Sequence, residues 1–151
     1  MTTRLDATFT PRLTLELFAQ PLLASGRYRD LKEHRAPRTT ETMLYGRDVG
    51  TLTTRSDPAG RATDYRVDPD GAGPALPFTV ANPDFNVRSL RGTAVMRWEY
   101  RPGSTLFFVW TQQRSGSDVI GDFDFDRDRR ALFRDRPVNV FQLKASYWLG
   151  M

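Results

Sequence analysis

The sequence predicts an all-β fold: an antiparallel up-and-down meander of about five transmembrane-type strands, part of an outer-membrane β-barrel, with two long polar loops. Three observations lead there. Apolar and polar side chains alternate over five segments, the spacing that puts one face of a strand in an apolar medium and the other in a polar one. The connections between those segments run short, long, short, long, as in barrels with tight periplasmic turns and long outer loops. The segments are about ten residues long, the span of a tilted barrel strand.

Strands are expected near 3–10, 13–20, 91–101, 105–114 and 138–150, with long loops at 21–86 and 115–137, all within one barrel segment over 1–151. In the first hairpin Leu5, Ala7 and Phe9 precede a loop Thr10-Pro11-Arg12, and Leu13, Leu15, Leu17 and Ala19 follow it. A three-residue loop sets Phe9 against Leu13 and Ala7 against Leu15, so both apolar sets share a face. The second hairpin is built alike. Ala94, Met96, Trp98 and Tyr100 lead through Pro102-Gly103-Ser104 to Leu106, Phe108 and Trp110, which pairs Tyr100 with Leu106 and Trp98 with Phe108. The last segment, NVFQLKASYWLGM, places Phe141, Leu143, Ala145, Tyr147, Leu149 and Met151 on one parity and Gln142, Lys144 and Ser146 on the other. Tyr28, Trp98, Tyr100, Trp110, Tyr147 and Trp148 are the expected interfacial girdles. Inside the first long loop, TLTTR and ATDYRV are expected to form a polar ribbon around Asp57-Pro58-Ala59-Gly60, too polar to enter a core.

Composition narrows the function classes. The 151 residues are 39% hydrophobic and 12% aromatic, which suits one folded domain. The net charge of +4 comes almost wholly from arginine, but acids are scattered among the arginines. No basic stripe with interleaved aromatics is present, so nucleic acid is not an expected partner. The absence of cysteine excludes disulfides, thiolate zinc sites and cysteine nucleophiles. No stretch approaches the roughly 20 apolar residues of a transmembrane helix, and the first twenty residues lack the charge and apolar run of a secretory signal.

NPDFNVRSLRGTAVMRWEYRPGSTLFFVWTQQRS, GDFDFDRD and VFQLKASYWLGM resemble the C-terminal end of a large family of uncharacterised bacterial outer-membrane barrel proteins. In that family the barrel follows a signal peptide and a β-sandwich resembling family-nine carbohydrate-binding modules, neither of which is expected in this sequence. The resemblance implies an outer-membrane location in a Gram-negative-type bacterium, as part of a longer chain. The last eight residues, KASYWLGM, are similar to the signal read by the barrel-assembly machinery, with Lys144, Leu149 and Met151 matching. Ser146 stands where glycine is usual, and Met151 where an aromatic is usual. Five strands are fewer than the eight of the smallest barrels, so the expected partners are outer-membrane lipid, the assembly machinery, and missing strands or other copies of the chain.

Few residues suggest chemistry. Asp122, Asp124, Asp126 and Asp128 alternate in GDFDFDRDRR and are weak calcium candidates. An EF-hand needs glycine where Arg127 stands and glutamate where Phe133 stands, so a solvated loop-side ribbon with acids paired to Arg127, Arg129 and Arg130 is the plainer expectation. Asp68, Asp70 and Gly71 read as turn formers, and His34, the single histidine, as a solvated loop residue. Arg97 and Glu99 are expected to face a lumen, as an ion pair or along a water path. No cofactor and no catalytic constellation is expected. The functional expectation is a non-enzymatic barrel segment acting in transport, surface binding or envelope structure. The alternative is a soluble all-β ligand-binding domain whose apolar faces pack on each other.

Overall fold

The computed structural model describes residues 1–150; Met151 lies outside the described residues. In chain order the elements are β1 (Thr3–Thr10), β2 (Leu13–Gly26), β3 (Lys32–His34), β4 (Thr42–Leu44), β5 (Thr51–Ser56), β6 (Ala62–Asp68), β7 (Phe78–Ala81), β8 (Phe85–Arg101), β9 (Ser104–Asp118), α1 (Phe125–Arg134) and β10 (Val138–Ser146). The all-β prediction and its antiparallel pairing hold. The chain divides into two compact units. One comprises Met1–Ala24, Asn86–Asp118 and the described residues from Phe123 on, and the other comprises Ser25–Phe85 with Val119–Asp122.

The first unit is built on a five-stranded sheet in the order β1-β2-β8-β9-β10, open at β1 and β10. Leu5 lies opposite Leu17 and Ala7 opposite Leu15, as the spacing predicts. Phe9 does not meet Leu13. The turn is two residues long, Thr10 takes that place, and the register slips between Thr8 and Thr10 so that Phe9 is an extra, bulged residue. The same correction applies to the second hairpin. Arg101 pairs with Ser104 around Pro102-Gly103, Tyr100 is the bulged residue, and the partners become Trp98 with Leu106 and Met96 with Phe108. A two-residue shift leaves every side chain on its predicted face, because strand parity repeats every two residues. Proline followed by glycine at φ +73° is the pair that a tight turn with a left-handed third residue requires.

On the far side, Trp110 pairs with Phe141, Phe108 with Leu143 and Leu106 with Ala145. The Glu99 amide donates to the Arg12 carbonyl at 2.8 Å. That bond sets Leu13 against Trp98, Leu15 against Met96 and Leu17 against Ala94 by antiparallel pairing. Strand ends differ from expectation. β2, β8 and β9 run further toward the long connections, whereas β10 stops at Ser146 instead of reaching 150. The Trp148 amide donates to Ser104 Oγ at 3.0 Å, and β9 begins at Ser104, so no partner strand remains beyond that point.

The second unit fills the first long connection with a two-stranded sheet, β3-β4, and a three-stranded sheet, β5-β6-β7. The expected ribbon is there as β5 and β6. Asp57 Oδ1 accepts from the amides of Ala59 and Arg61 at 2.9 Å each, and Gly60 takes φ +78°, which close its turn. The expectation that it avoids a core fails at Val67, only 1% exposed. Tyr45 packs edge-on to Phe78 at 6.2 Å and donates to Glu33 Oε2 at 2.7 Å. Burial, with the bond to Glu33 and its charge, pushes the Tyr45 hydroxyl up to about 12, so it stays a donor. His34 ends β3, exposed, rather than lying in a loop.

Gly103→Ala is expected to destabilise the chain by about 1–2 kcal/mol, the cost of a left-handed non-glycine residue, because the new methyl also stands 3.0 Å from Trp148 Cβ. Gly60→Ala has similar backbone strain but nothing within 4 Å, so its urea midpoint, followed by far-ultraviolet circular dichroism, should fall less.

Candidate functional site: a sheet with one apolar face

One parity of the five strands carries Leu5, Ala7, Leu13, Leu15, Leu17, Ala94, Met96, Trp98, Leu106, Phe108, Trp110, Phe141, Leu143 and Ala145. These are the residues that a soluble fold would bury. Here Leu5 is 56% exposed, Phe108 37%, Phe141 63% and Leu143 70%. Among the described residues the fully buried hydrophobic side chains are Val67 and Leu132, and neither lies on this sheet. Each large apolar side chain left in water forgoes about 1.5–3 kcal/mol of burial, so a continuous face of this kind marks a surface that meets lipid or protein.

The face is bounded at both ends. At the Pro102-Gly103 turn Trp98 meets Tyr100 edge-on at 6.1 Å. The Arg101 guanidinium lies 5.2 Å over the Tyr147 ring and donates to its hydroxyl at 2.8 Å. Rings with a polar tip at the edge of an apolar surface suit a membrane boundary. At the other end Trp110 Nε1 and Gln112 Nε2 both donate to Asn139 Oδ1, at 3.0 and 2.9 Å. Arg114 then donates to Gln112 Oε1 at 3.1 Å and to the Phe133 carbonyl at 2.8 Å. This polar row ends the apolar rows of β9 and β10. Tyr28 belongs to the second unit, where its ring lies 6.5 Å from that of Phe85.

Beyond the polar row the same parity continues to Arg88, Asn86, Gly116 and Asp118, and α1 docks there. Arg88 donates to Asp135 through Nε (2.6 Å) and Nη2 (3.1 Å) and to Asp118 through Nη1 (2.6 Å). A Cβ at Gly116 would stand 2.4 Å from Asp135 Oδ2 and 2.7 Å from Arg88 Nη2, so any larger residue there must displace this ion pair. From the helix side, buried Asp128 accepts from Asn86 Nδ2 at 3.0 Å, Arg127 Nε at 2.9 Å and the Asp124 amide at 3.2 Å. Burial pushes the Asp128 carboxyl up, but the bonds from Arg127, Asn86 and the Asp124 amide outweigh it and hold it below the usual carboxylate range.

The weak calcium candidates are placed differently from the expected ribbon, because α1 occupies that segment. Asp124 is its N-cap, accepting from the Arg127 amide at 2.8 Å, and Asp126 and Asp128 stand in its first turn, where the helix dipole favours acids. Asp126 faces Arg129 at 3.4 Å, and Asp122 belongs to the second unit, 3.8 Å from Arg27. Among the described residues no three His, Asp or Glu side chains are grouped to hold a metal ion. Asp68 Oδ1 accepts from the Gly71 amide at 3.0 Å, a turn-forming role. Arg97 and Glu99 share the face opposite Met96 and Trp98, half-buried. They form no ion pair with each other among the described residues, and Glu99 Oε1 instead accepts from the Gly103 amide at 3.2 Å. In the assembly signal, Lys144 sits opposite Phe107, Leu149 lies past the end of β10 and is exposed, and Met151 falls outside the described residues.

No family model, curated protein or solved structure matches the chain. The Arg88 cluster escaped sequence reasoning because its acids lie 30 and 47 residues away.

Arg88→Lys keeps the charge but loses the fork, and is expected to cost about 2–3 kcal/mol in urea unfolding. Asp128 titrates lower when folded than unfolded, so its contribution is present above about pH 4 and is lost as the pH falls through the folded value. Asp128→Asn should therefore cost about 1–3 kcal/mol at neutral pH and little once wild type itself is protonated, which denaturant melts at the two pH values will test.

Proposed function

We propose that the five-stranded sheet is the C-terminal segment of an outer-membrane β-barrel, a non-enzymatic protein acting in transport, surface binding or envelope structure. The observation that carries this reading is the apolar face, continuous across all five strands and left uncovered between Trp98 and Trp110. The resemblance of RWEYRPGSTLFFVW and KASYWLGM to a family of such barrels points the same way. On this reading lipid covers the apolar face, and the parity of Arg97 and Glu99 looks inward. The second unit and α1 belong to the outer connections, while Pro11-Arg12 and Pro102-Gly103 turn at the periplasmic rim. The open edges at β1 and β10 present unpaired amides and carbonyls, which further strands would satisfy. A soluble sandwich would place a second sheet over the apolar rows, and none lies there in this unit.

The test compares one substitution on each face of neighbouring strands. Phe108→Arg should destabilise the chain in detergent micelles by about 2–4 kcal/mol, the cost of a lipid-facing arginine near the bilayer midplane. Gln142→Arg, on the other parity of β10, should change little. A chain that stays a discrete β-rich monomer in plain buffer, with no response to detergent in sedimentation, would sink the membrane reading and favour the soluble binding domain.

A further inference from the structure

α1 lies on the apolar side of the sheet, at the end away from the tight turns. Its contacts with Asn86, Arg88 and Arg114 all use the parity that carries Ala94, Met96 and Trp98 lower on β8, or Phe108 and Trp110 on β9. No register break interrupts β8 between Asn86 and Glu99. The helix turns Leu132 and Asp128 inward, both buried. Its outer surface forms an open hollow of about 650 Å³ lined by Arg127, Arg129, Arg130, Phe133 and Arg134.

Asp128 and Asp126 pair with Arg127 and Arg129, and the acids of this region leave Arg130 and Arg134 without a carboxylate among the described residues. Asp128 is committed to Arg127 and Asn86, and Asp135 to Arg88. Arg129 has one solvated partner, Asp126, at 3.4 Å. Arg130 donates Nε to the Asp126 carbonyl at 3.0 Å and Arg134 is exposed, and neither meets a carboxylate among the described residues. Phe133, 57% exposed, stands among them with the Arg114 guanidinium 5.6 Å from its ring. Guanidinium groups take phosphate oxygens in a planar, two-pronged geometry, and an exposed aromatic ring beside them suits an occupant that is anionic at one end and apolar at the other. An arginine-rich, aromatic-bearing helix bordering a lipid-facing surface is the arrangement of an interfacial helix.

Resting on the barrel reading above, we infer that α1 binds the phosphorylated headgroup of a membrane lipid at the loop-side boundary of the bilayer, with Arg129, Arg130 and Arg134 on the phosphate and Phe133 toward the acyl region. The experiment is flotation of the full chain with vesicles of neutral phosphatidylcholine and with vesicles in which part of that lipid is replaced by anionic phosphatidylglycerol. Wild type should bind both and prefer the anionic vesicles. The double variant Arg130→Gln, Arg134→Gln should lower binding to anionic vesicles about thirty-fold, at about 1 kcal/mol for each arginine, and lower binding to neutral vesicles, whose phosphate is offset by choline, far less. Arg29→Gln with Arg38→Gln, a matched loss of charge in the second unit, should change anionic binding far less. Circular dichroism of each variant checks that the fold is intact, and all four residues are exposed. Equal losses from the two double variants would overturn the helix site while neutral-vesicle binding keeps the barrel reading. Failure of wild type to bind neutral vesicles would overturn the barrel reading, and the helix site with it. Release from anionic vesicles by inorganic phosphate, beyond that by chloride at the same ionic strength, would assign the site to free phosphate and overturn the lipid assignment.

Discussion

The pairing of β8 with β9 is the constraint on which the rest of the first unit depends. It runs without a slip from Asn86 and Asp118 to Glu99 and Thr105, and so carries one parity from a polar cluster at one end to an aromatic turn at the other. β10 is registered against β9, and the Glu99 amide registers β2 through the Arg12 carbonyl. A single-residue slip in this hairpin would put Trp98 on the opposite face from Phe108 and Trp110, and it would separate Arg88 from Asp118. The Pro102-Gly103 turn and the Tyr100 bulge hold that register in place, because together they fix how many residues oppose one another.

Along that parity the side chains change character in bands. Aromatic rings with polar tips come first, then aliphatic and aromatic rows, then the amide row of Gln112 and Asn139, and last the ionic contacts beneath α1. In the ionic band Arg88 is 9% exposed and serves two carboxylates, a mostly buried Asp135 and a half-exposed Asp118. Charge is tolerated on this face only where the helix and its acids satisfy it, in keeping with the cost of burying a guanidinium unpaired. The apolar rows lack any such cover within the unit, and this contrast along one face underlies both proposals.

The five main strands were legible because alternation is a local signal and parity survives small errors of register. Turn length was not. Whether Phe9 and Tyr100 pair or bulge is decided by backbone twist at the turn, which residue type records weakly. α1 was misread as a ribbon, since Phe123, Asp124, Phe125 and Asp126 alternate like a strand. The helical signals were nevertheless present in Asp124 as N-cap, acids in the first turn and Arg134 in the last. The folding of residues 25–85 into its own small sheets was partly legible at Asp57 and Gly60, but the burial of Val67 depends on partners brought from β5 and β7. The face of the candidate site could be read from the sequence, and its upper boundary could not, because Asn86, Arg88, Asp118 and Asp135 come together only after the strands have paired.

The open order of the sheet has an arithmetic consequence. Five antiparallel strands begin and end in the same direction, so β1 and β10 point the same way. Copies of this sheet joined edge to edge would meet in a parallel seam at every junction, whereas bacterial outer-membrane barrels are antiparallel throughout and even in strand number. An all-antiparallel ring containing this sheet must therefore place an odd number of strands from other sequence between β10 and the next β1.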